Sequence, residues 1–242
     1  MIPLAAFAMA LATPALTHDV GGSAEGRDPW QVLTLTVLAA AAAVYASGTV
    51  RLRRRSGVGR GLPPWRITCF AAGLLTLAAG LLTPLHALGD RLFAAHMLQH
   101  VILMIVGAPL LALGAGRVAG VWALPHRVRT SAGRFMLLTR PLTRPGMATT
   151  LQGLVLWVWH IPAVYGAALG TEGLHWLQHV TLLSSALLFW QAVLGRRGLR
   201  APGAAIFCLF LTAMHSGMLG VLLTFASSPI YPARVPARTT LA

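Results

Sequence analysis

Residues 96–114 read HMLQHVILMIVGAPLLALG, and that stretch decides the fold. It carries no charge beyond its two histidines, and with its neighbours it forms an apolar run over about 92–114. A run of ~20 apolar residues is what a helix needs to cross a hydrocarbon core of ~30 Å. The opening of the run also recurs. His96-Met97-Leu98-Gln99-His100 returns 79 residues later as His175-Trp176-Leu177-Gln178-His179, and both copies continue with valine, Val101 and Val180. Helix positions four apart share a face, so each copy aims two imidazoles in one direction and turns its glutamine partly aside. Ionisable side chains at the start of a membrane span are costly and mark function.

Composition agrees with that reading. Of 242 residues, 56% are hydrophobic and 10% charged, and the mean hydropathy is +0.71. Soluble domains carry about 25% charged residues, so the chain reads as an all-α polytopic membrane bundle. A net charge of +14 would suggest nucleic acid if taken alone, but the arginines fall in short loops between apolar runs. Cys69 and Cys208 lie inside apolar runs and form no CxxC, so neither a disulfide framework nor a redox motif is indicated.

Residues 1–16 are small and apolar with Ala-x-Ala sites, as in a signal peptide, although no arginine precedes them. Residues 17–29 form a polar tail. Six spans are expected at about 30–50, 66–86, 92–114, 146–167, 173–194 and 202–225, giving a bundle over 30–225 and a tail over 226–242. Six arginines fall in 51–66, six in 115–145 and three in 196–200, so fifteen of nineteen lie on one side. Asp19, Glu25, Asp28, Asp90 and Glu172 all lie on the other. The positive-inside rule makes the arginine side cytoplasmic and the amino terminus external.

This orientation gathers seven of nine histidines in the outer half: His86, His96, His100, His160, His175, His179 and His215. His18 and His126 stand apart. Paired imidazoles at i and i+4 chelate copper, zinc or iron, and on facing helices they could also bind haem axially. Gln99 and Gln178 are candidates to hydrogen-bond the imidazoles from behind. Met97, Met104, Met214 and Met218 supply thioethers, with Met214, His215 and Met218 a soft cluster suited to Cu(I). Hydrogen bonding of His and Gln between helices is the simpler alternative. Trp157, Trp159 and Trp176 read as an interfacial aromatic belt. Pro84, Pro109 and Pro162 are expected to kink or end helices and free carbonyls near the site. The repeated motif also allows a parallel two-helix repeat, spans two and three against four and five.

Taken together, HMLQHVILMIVGAPLLALG, WVWHIP (157–162), HWLQHVTLLSSALLFW (175–190), MHSG (214–217) and SSPIYP (227–232) resemble the CtaG-type cytochrome c oxidase assembly proteins of bacteria. The resemblance runs from about residue 30 to 232. It implies a multi-pass inner-membrane protein, not an enzyme, that serves a haem-copper oxidase through its subunits and delivers copper to it. It also implies that His96, His100, His160, His175, His179 and His215 are the functional set. Family members continue into a seventh span with an Asp-Gln-x-x-Gly-Gly-x-x-Met-Trp pattern; residues 234–242 read RVPARTTLA and carry no apolar run. Other classes compatible with the histidines are a haem protein exchanging electrons with a quinone and a metal permease. No paired charges line the inner half to continue a permeation path.

The arginine asymmetry generates the first prediction. A reporter fused in the 115–145 loop will read cytoplasmic, and one near Gly170 will read periplasmic. The reverse pair of readings would overturn the placement of every histidine.

Overall fold

The computed structural model describes residues 29–57, 62–82, 89, 92–125, 128–129, 140–195 and 201–225. His18, His86, His126, Pro84, residues 1–16 and the SSPIYP stretch lie outside the described residues. All regular structure among the described residues is helical. In chain order the helices are α1 (Pro29–Ser56), α2 (Pro64–Leu82), α3 (Phe93–Leu113), α4 (Gly116–Ala123), α5 (Pro145–Trp159), α6 (Pro162–Gly170), α7 (Glu172–Leu194) and α8 (Pro202–Thr224). Five are long and apolar enough to span a membrane by themselves, and α5 and α6, bent by 71° at their junction, are so only when taken together. The protein is a polytopic helix bundle.

Five of the eight helices, α1, α2, α5, α6 and α8, begin on proline, at Pro29, Pro64, Pro145, Pro162 and Pro202. There the missing N–H is one that no carbonyl would have received. Helix α1 ends on Arg53, Arg54 and Arg55, cations that oppose its C-terminal partial charge. A proline inside a span acts differently. Within α3, residues Ile102–Gly107 are π-helical, and the Ala108 N–H reaches back five residues to the Leu103 carbonyl. In that register the next donor should serve Met104, but residue 109 is proline and has no N–H. The Trp190 indole N–H fills the gap from α7, donating to the Met104 carbonyl at 2.9 Å. A carbonyl left bare in hydrocarbon costs several kcal/mol, so this one bond ties α3 to α7 just below the repeated motifs.

Pro162 works on the fourth span. The chain leaves α5 through a tight turn, His160 N–H to Trp157 O at 3.1 Å and Ile161 N–H to Val158 O at 3.2 Å, and restarts as α6. The span expected at 146–167 is therefore broken at His160 rather than continuous. Trp159, read from sequence as a belt residue, is buried, and its indole N–H donates to the Thr181 hydroxyl at 2.8 Å. It joins Met104, Ala108, Ala168, Leu182 and Ala186 in a core shared by α3, α5, α6 and α7.

At the other end, α3 reverses into α4 through Ala115, in the left-handed conformation at φ 54°. Tyr45 of α1 holds the turn, its hydroxyl donating to the Gly114 carbonyl at 2.9 Å while its ring stacks on Phe70 at 3.7 Å. A Cβ on Gly48 would collide with the Ala119 carbonyl, so only glycine lets α1 lie this close to α4. Helix α8 packs on α5 and α7, with Cys208 beside Phe189 and Val193. Its outer face shows Ile206, Phe207 and Phe210, a surface for lipid.

Trp190→Phe keeps the ring but removes the donor. Leaving the Met104 carbonyl unpaired costs about 1–3 kcal/mol, so unfolding in bicelles will show a destabilisation of that size. A variant as stable as the parent would remove this bond from the account of how α3 and α7 are held.

Candidate functional site

The two copies of the repeated motif face each other. His96 stacks on His175 with ring centroids 5.3 Å apart and planes inclined 25°. One turn on, His100 stacks on His179 at 4.7 Å and 27°. Both contacts join residues 79 apart in sequence, so α3 and α7 run parallel and in register here. All four rings are buried, with His96 at 0% exposure and His179 at 7%. Within each helix the rings also meet through nitrogen: His100 Nε2 lies 2.9 Å from His96 Nε2, and His179 Nε2 lies 3.2 Å from His175 Nε2. Neutral imidazole has one donor and one acceptor nitrogen, so each such contact holds one hydrogen between two lone pairs.

These distances bear on metal binding. Two imidazoles on one tetrahedral ion, each at ~2.0–2.1 Å, stand roughly 3.3 Å apart at nitrogen. The Nε2 separations are thus close to those of a shared ion, but the atoms point at each other. As the side chains stand, no three His, Cys, Asp or Glu among the described residues converge to hold a metal ion. The donor chemistry fits a soft or borderline ion. Binding one requires each ring pair to turn and the hydrogen between its Nε2 atoms to move to an Nδ1. His100 Nδ1 is buried without a hydrogen-bond partner among the described residues, so such a turn breaks only its Nε2 contact and its stacking on His179.

Each glutamine is buried beside its histidines, at 0% for Gln99 and 1% for Gln178. The Gln99 amide donates to the Gly80 carbonyl of α2 at 2.9 Å, which fixes α3 against α2. Gln178 keeps a buried Oε1 with no hydrogen-bond partner among the described residues.

The remaining candidates divide. His160 closes α5, and its Nδ1–H donates to the Leu156 carbonyl at 2.7 Å, leaving Nε2 as the basic nitrogen. That is the arrangement in which histidine ligates a metal. His215 sits on α8 against Gly153 of α5, where a Cβ would lie 3.5 Å from its Nε2. It makes no ring contact with the four central histidines, and its ring nitrogens have no hydrogen-bond partner among the described residues. Met214 and Met218 are exposed, at 55% and 53%, on the outer face of α8, so neither side chain is turned into the bundle. Met104 is buried in the core and Met97 is half-buried. His86 lies outside the described residues.

Three residues at the site were not singled out by sequence. Tyr165 of α6, 1% exposed, meets His96 edge-on at 5.7 Å and is itself flanked by Phe93 at 5.9 Å. Its signal was the Pro162 break, which swings α6 over the histidines. Trp190 was readable only by asking who serves the carbonyl that Pro109 abandons. Trp30 of α1 lies 6.4 Å from Trp176. Together they border a lateral pocket of about 120 Å³ that reaches His175 and His179 and includes Glu172, with Leu77 and Leu103 among its apolar walls.

A family model described as cytochrome c oxidase caa3 assembly factor matches residues 43–240. No curated protein and no solved structure matches the chain.

The Nε2 contacts carry a measurable coupling. His96→Leu, His100→Leu and the double variant form a cycle whose interaction energy should fall near the 0.6–1.7 kcal/mol typical of hydrogen bonds between polar side chains in membranes. Unfolding free energies that add to within about 0.3 kcal/mol would show that the two rings do not support each other.

Proposed function

Because the chain belongs to the cytochrome c oxidase caa3 assembly factor family, we propose that it holds copper on His96, His100, His175 and His179 and passes it to an oxidase subunit. The observation that carries this reading is the in-register meeting of the two imidazole pairs. Buried neutral imidazoles are donors for Cu(I), and in each pair the ring that carries its hydrogen on Nε2 would shift it to Nδ1, so that both Nε2 lone pairs could face the ion. A set of histidines without thiolates exchanges its ion more readily than a closed cysteine site, as delivery requires. In this role no bond of a substrate is made or broken, so the protein acts as a carrier and not as an enzyme.

The surrounding residues have separate tasks. Gln99 and Trp190 fix the two helices from outside the ring cluster, through the Gly80 and Met104 carbonyls. Tyr165 closes one side of His96. The pocket beside Trp30 and Glu172 supplies an opening toward His175 and His179, with the carboxylate attracting a cation. His160, with Nε2 as its basic nitrogen, is suited to take the ion on or off. His215 lies against α5 and serves outside the cluster of four. The arginine asymmetry supports a site on the periplasmic side of a bacterial inner membrane.

Geometry disfavours haem on the same residues. A porphyrin between two axial imidazoles needs the helices parted, whereas here the rings of facing helices stack at 4.7 and 5.3 Å.

His100→Gln and His179→Gln separate ligation from packing. An amide keeps hydrogen bonding and approximate size but is a poor copper ligand at neutral pH. Both variants will accumulate normally in the membrane, bind Cu(I) at least ~10-fold more weakly and fail to support oxidase activity. The purified parent, loaded with Cu(I), will show bound copper by metal analysis and no Soret band. Glutamine variants with full copper loading and full oxidase activity would defeat the proposal.

A further inference from the structure

The opposite end of the bundle holds a second, differently charged cavity. Arg51, Arg54 and Arg55 from the last turns of α1 meet Arg129 and Trp122 around a space of about 330 Å³. Two of these guanidinium groups are positioned by backbone. Arg51 donates to the Ala123 carbonyl, and Arg129 donates to the Leu124 carbonyl at 3.2 Å. Both acceptors lie at the C-terminal end of α4. The Trp122 ring forms the floor, with Arg129 over it at 4.2 Å and Arg55 at 6.0 Å.

Among the described residues, no carboxylate balances the charge there. Carbonyls and an aromatic face orient guanidinium groups, but they do not neutralise four of them. No Asp or Glu occurs between residues 29 and 89, 91 and 171, or 173 and 242. Glu172, the one carboxylate among the described residues, lines the pocket at the histidines instead. Topology alone asks only that arginines lie on this side; it does not ask four of them to converge on one cavity. Such convergence suits an oxyanion that can accept paired N–H donors, above all a phosphate.

The walls indicate where that phosphate comes from. Trp122, Leu124 and Pro125 complete the lining. Val50 and Val128, next in sequence to Arg51 and Arg129, are exposed at 48% and 47%. Apolar side chains beside a cationic cavity at the end of the α1 span match a headgroup with its acyl chains attached. We propose that this cavity binds the phosphodiester of an anionic phospholipid, pinning α1 to α4.

The test uses the full chain in zwitterionic detergent. Phosphatidylglycerol is added, with phosphatidylcholine and inorganic phosphate at matched ionic strength as the other arms. Phosphatidylglycerol should raise Tm by several degrees, and the other two should not. Arg54→Gln with Arg55→Gln should abolish the shift. Arg66→Gln with Arg117→Gln removes the same charge from the same end and should retain it. Equal loss in both double variants, or in neither, would reduce the effect to diffuse surface charge and overturn the site. A full shift from inorganic phosphate would overturn the lipid assignment. Native mass spectrometry of the unaltered protein decides the matter even if a variant misfolds. Phosphatidylglycerol should be retained several-fold over phosphatidylcholine, and equal retention refutes the proposal.

Discussion

Proline at 109 cannot donate to the carbonyl behind it, and hydrocarbon offers no water to take its place. The bond from Trp190 to the Met104 carbonyl answers that constraint, and much of the bundle follows from it. To bring the indole within 2.9 Å, α7 must lie along α3 at one rotation and one height. With Trp190 so fixed, His179 falls opposite His100 and His175 opposite His96. The π-helical turn serves the same end, since it sets the register in which the orphaned carbonyl is Met104 and not Ile105.

The histidine cluster is a compromise between burial and chemistry. Four imidazoles in an apolar interior would each leave polar nitrogen unsatisfied, at a cost of about 1–3 kcal/mol per group. Pairing them Nε2 to Nε2 lowers that cost while keeping the rings neutral and soft. The resulting arrangement is stable without a guest but only weakly committed, because each ring leans on another that could instead share an ion. Glutamine in place of a more basic residue fits this logic. Gln99 ties α3 to Gly80 without adding a charge beside the imidazoles.

The two ends of the bundle are chemically opposed, and the opposition is written into composition. Among the described residues the histidine end carries Glu172 and the four stacked rings, whereas the arginine end carries a cationic cavity with no carboxylate in its lining. Tyr45 stands near the arginine end, bonded to Gly114 and stacked on Phe70, so the close α1–α4 packing that shapes the cavity rests on a buried hydroxyl and on Gly48.

Apolar run length and arginine placement were enough to read a polytopic helix bundle, because hydrocarbon admits few backbone solutions and those leave long, simple signals. The i, i+4 spacing likewise placed each histidine pair on one face, since that is a property of a single helix. What single helices cannot encode is which faces meet. The in-register stacking of the two motifs, the rotation of Met214 and Met218 outward, the burial of Trp159 and the arrival of Tyr165 over His96 all depend on contacts between segments far apart in sequence. The sequence by itself determined a bundle of apolar helices and the face on which each histidine pair sits. Only tertiary structure decided which histidines form it, because interhelical rotation is set by a few close packings and one displaced carbonyl.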